Sequence, residues 1–142
     1  MSGNPRSLQT DYFEHDADVG VIGRGASLEE ALVAAAQATF AIMADLEAVR
    51  PLERVYVMFD ENDPEFALVR WLNELLAEAR AQGIVLSRFR LSRRDGRWRG
   101  EAEGEPWRSD LARGTEVKGA TLTMLSVKAI PGGWEARCVV DV

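Results

Sequence analysis

The residues best suited to chemistry lie near the start of the chain. The stretch Phe13-Glu14-His15-Asp16-Ala17-Asp18-Val19-Gly20 contains the single histidine, with His15, Asp16 and Asp18 inside four residues. An imidazole and carboxylates this close suit a hard-cation site or an acid/base cluster, and spacing alone does not choose between them. Carboxylate oxygens favour calcium or magnesium, which take several oxygen ligands. One strand supplies too few, so a second segment must contribute. Asp141, beside the oxygens of Val142 at the end of the last strand, is the best available donor. The plainer alternative makes Asp16 or Asp18 a turn cap and leaves Asp141 solvated. Zinc is poorly served by one histidine with no cysteine nearby.

Other chemistry-bearing groups are weaker. Arginines at 88, 90, 93, 94, 97 and 99 are interleaved with Phe89 and Trp98, a pattern that fits a basic ribbon with aromatic platforms for RNA. Lys118 fits a phosphate or partner contact, or a plain exposed loop residue. Cys138 alternates with core residues and is expected to be buried and inert. There is no Gly-x-Gly-x-x-Gly, no Gly-Lys-Ser/Thr and no Gly-x-Ser-x-Gly motif. No catalytic residue is assigned, because a self-contained enzyme is hard to build from this inventory.

These groups must be positioned by a small set of elements. Residues 1–11 read as a flexible tail and 12–142 as the folded domain. Short extended segments are expected over 12–15 and 18–25, where β-forming Val19, Val21 and Ile22 alternate with glycines. Ser27-Leu28-Glu29-Glu30 is a capping box that opens a helix running to about Asp45. Its Ala-rich face demands a closely packed neighbour. Residues 52–59 read as a strand. Asp63-Pro64 starts a second helix whose stripe of Leu68, Trp71, Leu72, Leu75 and Leu76 ends at Gly83.

Asp95-Gly96 centres a hairpin turn. That register sets Arg93 against Trp98, Leu91 against Gly100, Phe89 against Ala102, Arg90 against Glu101 and Arg88 against Glu103. Val85, Phe89, Leu91, Trp98 and Ala102 then share the buried face, and opposite charges meet on the exposed one. With the aromatics turned inward, direct RNA binding is disfavoured. Residues 104–120 form a long irregular connection, and 121–130 and 134–141 are the last strands. The class is α+β: one domain, two helices packed on about seven mostly antiparallel strands.

Composition narrows the setting. The chain has 142 residues, is 46% hydrophobic and carries a net charge of -6, enough for one core and repulsive toward phosphate backbones in bulk. A single cysteine fits a reducing compartment. The polar first residues do not resemble a signal peptide, and no apolar run approaches a membrane span, so a soluble, cytoplasmic protein without membrane partners is expected.

Taken together, several stretches resemble the archease family: Glu14-His15-Asp16-Ala17-Asp18-Val19-Gly20, Ser27-Leu28-Glu29-Glu30-Ala31, Trp71-Leu72-Asn73-Glu74-Leu75-Leu76, Gly104-Glu105-Pro106, Thr115-Glu116-Val117-Lys118, and Gly133 to Arg137 followed by Val140-Asp141-Val142. They occur in family order and span nearly the whole chain from residue 12. The resemblance implies a small α+β activator of the RNA-splicing ligase that joins 2′,3′-cyclic-phosphate or 3′-phosphate ends to 5′-hydroxyl ends. Such activators promote GTP-dependent guanylylation of the ligase and its multiple turnover in tRNA splicing and RNA repair, with GTP acting on the ligase. The resemblance also implies a divalent-cation site, described as calcium-binding, carried here by Asp18, Asp141 and Val142. Manganese or magnesium are alternatives, and His15 and Asp16 would be accessory. The family often has Thr where Asp16 stands, and Tyr-His where Leu122-Thr123 stands. Two other classes compete: a chaperone or scaffold acting through 104–120 without metal, and a metal-dependent hydrolase using His15 and Asp18.

Overall fold

A computed structural model describes residues 8–15 and 18–142, without the side chains of Glu14 and His15. Eight strands and two α-helices follow in the order β1 (Gln9–His15), β2 (Asp18–Gly25), α1 (Leu28–Ala41), β3 (Glu53–Asp60), α2 (Pro64–Gln82), β4 (Ile84–Arg94), β5 (Arg97–Pro106), β6 (Gly119–Ala120), β7 (Ser126–Ile130) and β8 (Gly133–Asp141). The expected α+β class holds. A five-stranded sheet runs β1-β2-β8-β6, with β7 also on β8, and a three-stranded sheet runs β3-β5-β4. Every pairing is antiparallel.

α1 lies between the sheets, packed on β1, β2 and β8 on one side and on β4 on the other. This explains its alanines: Ala31, Ala34, Ala35, Ala36 and Ala38 are all fully buried. At Gly23 the approach is so close that a Cβ would meet the backbone of Ala31, Ala34 and Ala35. The helix starts at the expected Ser27 cap, with the Glu30 carboxylate reaching one residue further back than a capping box does. Ser27 Oγ accepts from the Glu30 N–H at 3.1 Å, while Glu30 Oε2 accepts from the Ala26 N–H at 3.0 Å. It ends at Ala41, earlier than the apolar spacing suggests, and a 3-10 turn over Leu46–Ala48 follows.

α2 begins at the Asp63 cap and stops at Gly83, which takes the left-handed conformation (φ 66°) that glycine adopts without strain. The Trp71 indole N–H donates to the Leu32 carbonyl at 3.0 Å and ties the helices together.

The β4–β5 hairpin has the register read from Asp95-Gly96, including Phe89 opposite Ala102 and Arg90 opposite Glu101. Val85 departs from expectation. A bulge at Ser87, between Leu86 and Arg88, reverses the alternation. Ile84, Leu86 and Phe89 therefore join the main core, and Val85 turns to a second cluster with Ala44, Val49 and Leu111. β1 also starts three residues inside the segment read as a tail, since Gln9 pairs with Arg24. The strand expected over 121–130 forms only in its second half. Residues 119–120 and 126–130 pair with β8, and 121–125 loop out between them, with Met124 at φ 52°.

Candidate functional site

Asp18 is the first residue of β2 and Asp141 the last of β8. Val19 pairs with Val140, so the next step along each strand brings Asp18 and Asp141 level at one end of the five-stranded sheet. Val21, Cys138 and Val140 are fully buried against the helices. By alternation, Asp18 and Asp141 share the opposite face. Asp18 is half-buried and Asp141 exposed. Val142 continues past Asp141, and its side chain packs partly against the core.

A third segment closes on this point. Gly119 pairs with Asp141, and the Lys118 N–H donates to the Asp141 carbonyl at 2.7 Å. The Lys118 carbonyl accepts from Arg80 at 3.1 Å, so its backbone is held at both ends while its side chain is exposed. Asn73 on α2 completes the support. Its Oδ1 accepts from the Ala120 N–H at 2.8 Å, and its Nδ2 donates to the Ala120 carbonyl at 3.3 Å. Asn73 and Arg80 thus hold the short β6 against β8. Neither was singled out from the sequence. The available signal was a polar residue, Asn73, beside the apolar stripe of α2.

Among the described residues no group of three or more ligating side chains gathers. The donors available here are the two carboxylates brought level by the Val19–Val140 pair and the main chain of Val142. An all-oxygen set of this kind fits a hard cation better than zinc, which favours nitrogen and sulfur ligands. His15 is opposite Asp18 in the β1–β2 register, but its side chain lies outside the described residues, as do Asp16 and Ala17.

Cys138 is fully buried, and burial pushes its thiol up to about 12, which removes it as a nucleophile. Phe89 and Trp98 are buried as expected. Glu105, by contrast, was quoted only as part of a motif. It is 1% exposed and bound by Arg50 (2.8 Å) and Arg108 (3.0 Å), and it also accepts from the Arg50 N–H at 2.7 Å. The Arg50 hydrogen bonds, with help from Arg108, hold its carboxyl down to about 2. This group anchors the connection at the end of β5. Further along, the Gly114 and Thr115 N–H groups donate to the carbonyls of Met43 and Ile42. The connection expected to be irregular is therefore tied to the end of α1. It roofs a cavity of about 520 Å³ lined by Phe40, Leu76, Arg80, Trp107 and Arg113.

Comparison with known proteins gives the family. Residues 11–142 match the Archease protein family. The chain is 32% identical over 143 residues to an archease of Methanosarcina mazei, covering 93% of this chain and 94% of that protein. It is 31% identical over 140 residues to one of Pyrococcus furiosus, covering 94% and 99%. The solution structure of protein 1598 of Methanobacterium thermoautotrophicum superposes with a TM-score of 0.81 at 29% identity, covering 94% of this chain and 98% of that one. The crystal structure of a Thermotoga maritima archease, described as a possible chaperone, shares the fold at a TM-score of 0.63 and 20% identity, with coverage of 94% and 98%.

Proposed function

The chain belongs to the archease family, and on that premise we propose that it is a non-catalytic protein cofactor of an RNA-splicing ligase. In this reading it promotes GTP-dependent guanylylation of the ligase, and so its multiple turnover, from an acidic tip built by Asp18, Asp141 and Val142. The observation that carries the reading is the Val19–Val140 pairing. It makes residues from opposite ends of the sequence neighbours at one end of the sheet.

Asp18, Asp141 and the Val142 main chain would hold a divalent cation, calcium before manganese or magnesium. A bound cation would supply neutralisation of two adjacent carboxylates. The chain itself fixes the strand ends, through the Lys118–Asp141 hydrogen bond and the Asn73 contacts, and so presents a rigid feature to the partner. Lys118 offers a cation on the same rim, suited to a phosphate or carboxylate of the ligase complex.

The test mixes this protein with a cognate ligase, GTP and manganese and follows covalent guanylylation. Asp18→Ala and Asp141→Ala should each lose the acceleration. Acceleration equal to wild type in both variants rejects the acidic-tip mechanism. A second reading is a chaperone without metal dependence, supported by the description of the Thermotoga maritima relative. Rescue of unrelated aggregating clients by the doubly substituted protein would favour it.

A further inference from the structure

The outer face of the three-stranded sheet is net basic on an acidic chain. β5 is its central strand, and three rows cross it: Arg54-Glu103-Arg88, Tyr56-Glu101-Arg90 and Met58-Arg99-Ser92. A fourth row, Asp60-Arg97-Arg94, closes it at the turn end. These residues leave the face at +3, so the remainder of a chain of net charge -6 carries -9. The carboxylates on the face are already engaged. Glu101 is paired to Arg90 at 3.1 Å and Arg54 at 3.9 Å, Glu103 to Arg54 at 3.5 Å, and Asp60 to Arg97 at 3.0 Å. Arg88, Arg94 and Arg99 are exposed and form no ion pair among the described residues.

The same face carries exposed apolar groups that solvation alone does not explain. Tyr56 is 66% exposed and Met58 60%. Tyr56 flanks a shallow cleft of about 410 Å³, also lined by Arg90, Ser92, Arg99 and Glu101. Phe89 and Trp98 do face the core, so the hairpin by itself has no stacking group. β3 brings one that the hairpin lacks. The expectation against RNA binding considered only the hairpin.

A flat sheet with an exposed aromatic ring and unpaired arginines suits bases stacked on the ring and phosphates along the guanidinium groups. An acidic protein surface would match the charge and can also pack on an exposed tyrosine, but a nucleic acid supplies a flat base for the ring together with regularly spaced phosphates for Arg88, Arg94 and Arg99. We propose that the outer face of β3-β5-β4 docks a single-stranded nucleic acid, with Tyr56 stacking a base and Arg88, Arg94 and Arg99 contacting phosphates. This face belongs to the other sheet from Asp18 and Asp141, so the proposal stands apart from the acidic tip.

The experiment measures fluorescence anisotropy of labelled 20-nucleotide uridine RNA and thymidine DNA with the full chain. Three phosphate contacts predict a log–log salt slope of about -2, hence roughly 20-fold weaker binding at 200 mM than at 50 mM salt. Tyr56→Ala should weaken binding at least ~5-fold with the slope unchanged. The triple change Arg88→Gln, Arg94→Gln, Arg99→Gln should flatten the slope. Melting temperatures near wild type confirm that the exposed substitutions leave the fold intact. Preference for one oligonucleotide tells RNA from DNA. No binding of either at 50 mM salt overturns the proposal. So does displacement by polyglutamate as effective as by RNA together with an unaffected Tyr56→Ala variant, which would mark a surface for acidic protein.

Discussion

Asp18→Asn gives the sharpest test of the acidic tip, because its effect should change sign with calcium. Directly opposed side chains on an antiparallel pair have Cβ atoms about 5 Å apart. Two unit charges at that distance in a water-like environment repel by about 1 kcal/mol at low salt. Neutralising Asp18 removes this repulsion while keeping the side chain's shape. For 142 residues the unfolding entropy is about 0.3 kcal/mol/K, so the variant should melt about 3 °C higher than wild type in chelator. Calcium reverses the order. At 100 times its dissociation constant a ligand that binds only the folded chain adds about 2.7 kcal/mol, or about 9 °C, to wild type. The variant should lose most of that shift. Scanning fluorimetry in chelator and in a calcium series reads both halves. Raising sodium chloride to 0.5 M should shrink the gain in chelator, since the charges are solvent-facing. A variant that melts below wild type in chelator, or one with an undiminished calcium shift, refutes the pairing of Asp18 with Asp141.

Three further outcomes are expected. Glu105, held at about 2 against an ordinary 4.5 chiefly by Arg50, contributes stability that is full above its unfolded value and lost as pH falls from about 4.5 toward 2. Urea midpoints of wild type should fall across that window, and those of Glu105→Gln should be lower at neutral pH and flatter below it. Gly23→Ala drives a methyl into the backbone of α1 and should destabilise by about 1–3 kcal/mol in chemical denaturation, with calcium binding affected only through folding. Asn73→Ala removes both hydrogen bonds to Ala120, each worth about 1 kcal/mol. It should speed hydrogen exchange at the Ala120 amide and weaken calcium binding, whereas a mutation merely lowering global stability would leave calcium affinity of the folded chain unchanged.

Legibility from sequence tracks the range of the interaction concerned. The β4–β5 register follows from one dipeptide turn, Asp95-Gly96, and from charges a few residues away, so it was readable in detail. The limits of α2 are set by Asp63 and Gly83, each acting on its own turn. The reversal at Ser87 was not readable. A bulge answers to what each face must bury, and Val85 finds its partners in Ala44, Val49 and Leu111, all distant in sequence. The loss of the first half of the strand over 121–130 is similar, because 121–125 remain as β-forming as their neighbours. Asp18 and Asp141 were legible as residue types, but their register depends on pairing across nearly the whole chain. The clamp on Glu105 escaped because a Glu beside Pro106 reads as loop, and only burial shows that two arginines converge on it.

β8 lies inside the five-stranded sheet between β2 and β6, yet it comes last of the eight strands in chain order. Until it emerges, the β1–β2 hairpin has an open inner edge and α1 has only part of its bed. Long-range closures of this kind are slow compared with hairpins and helices. The β4–β5 hairpin and α2 are built from local contacts and do not wait on it. The pair that finishes the sheet is also the pair that brings Asp18 to Asp141. A nascent or partly folded chain therefore lacks the acidic tip altogether, and any partner that reads the tip also reads whether folding is complete.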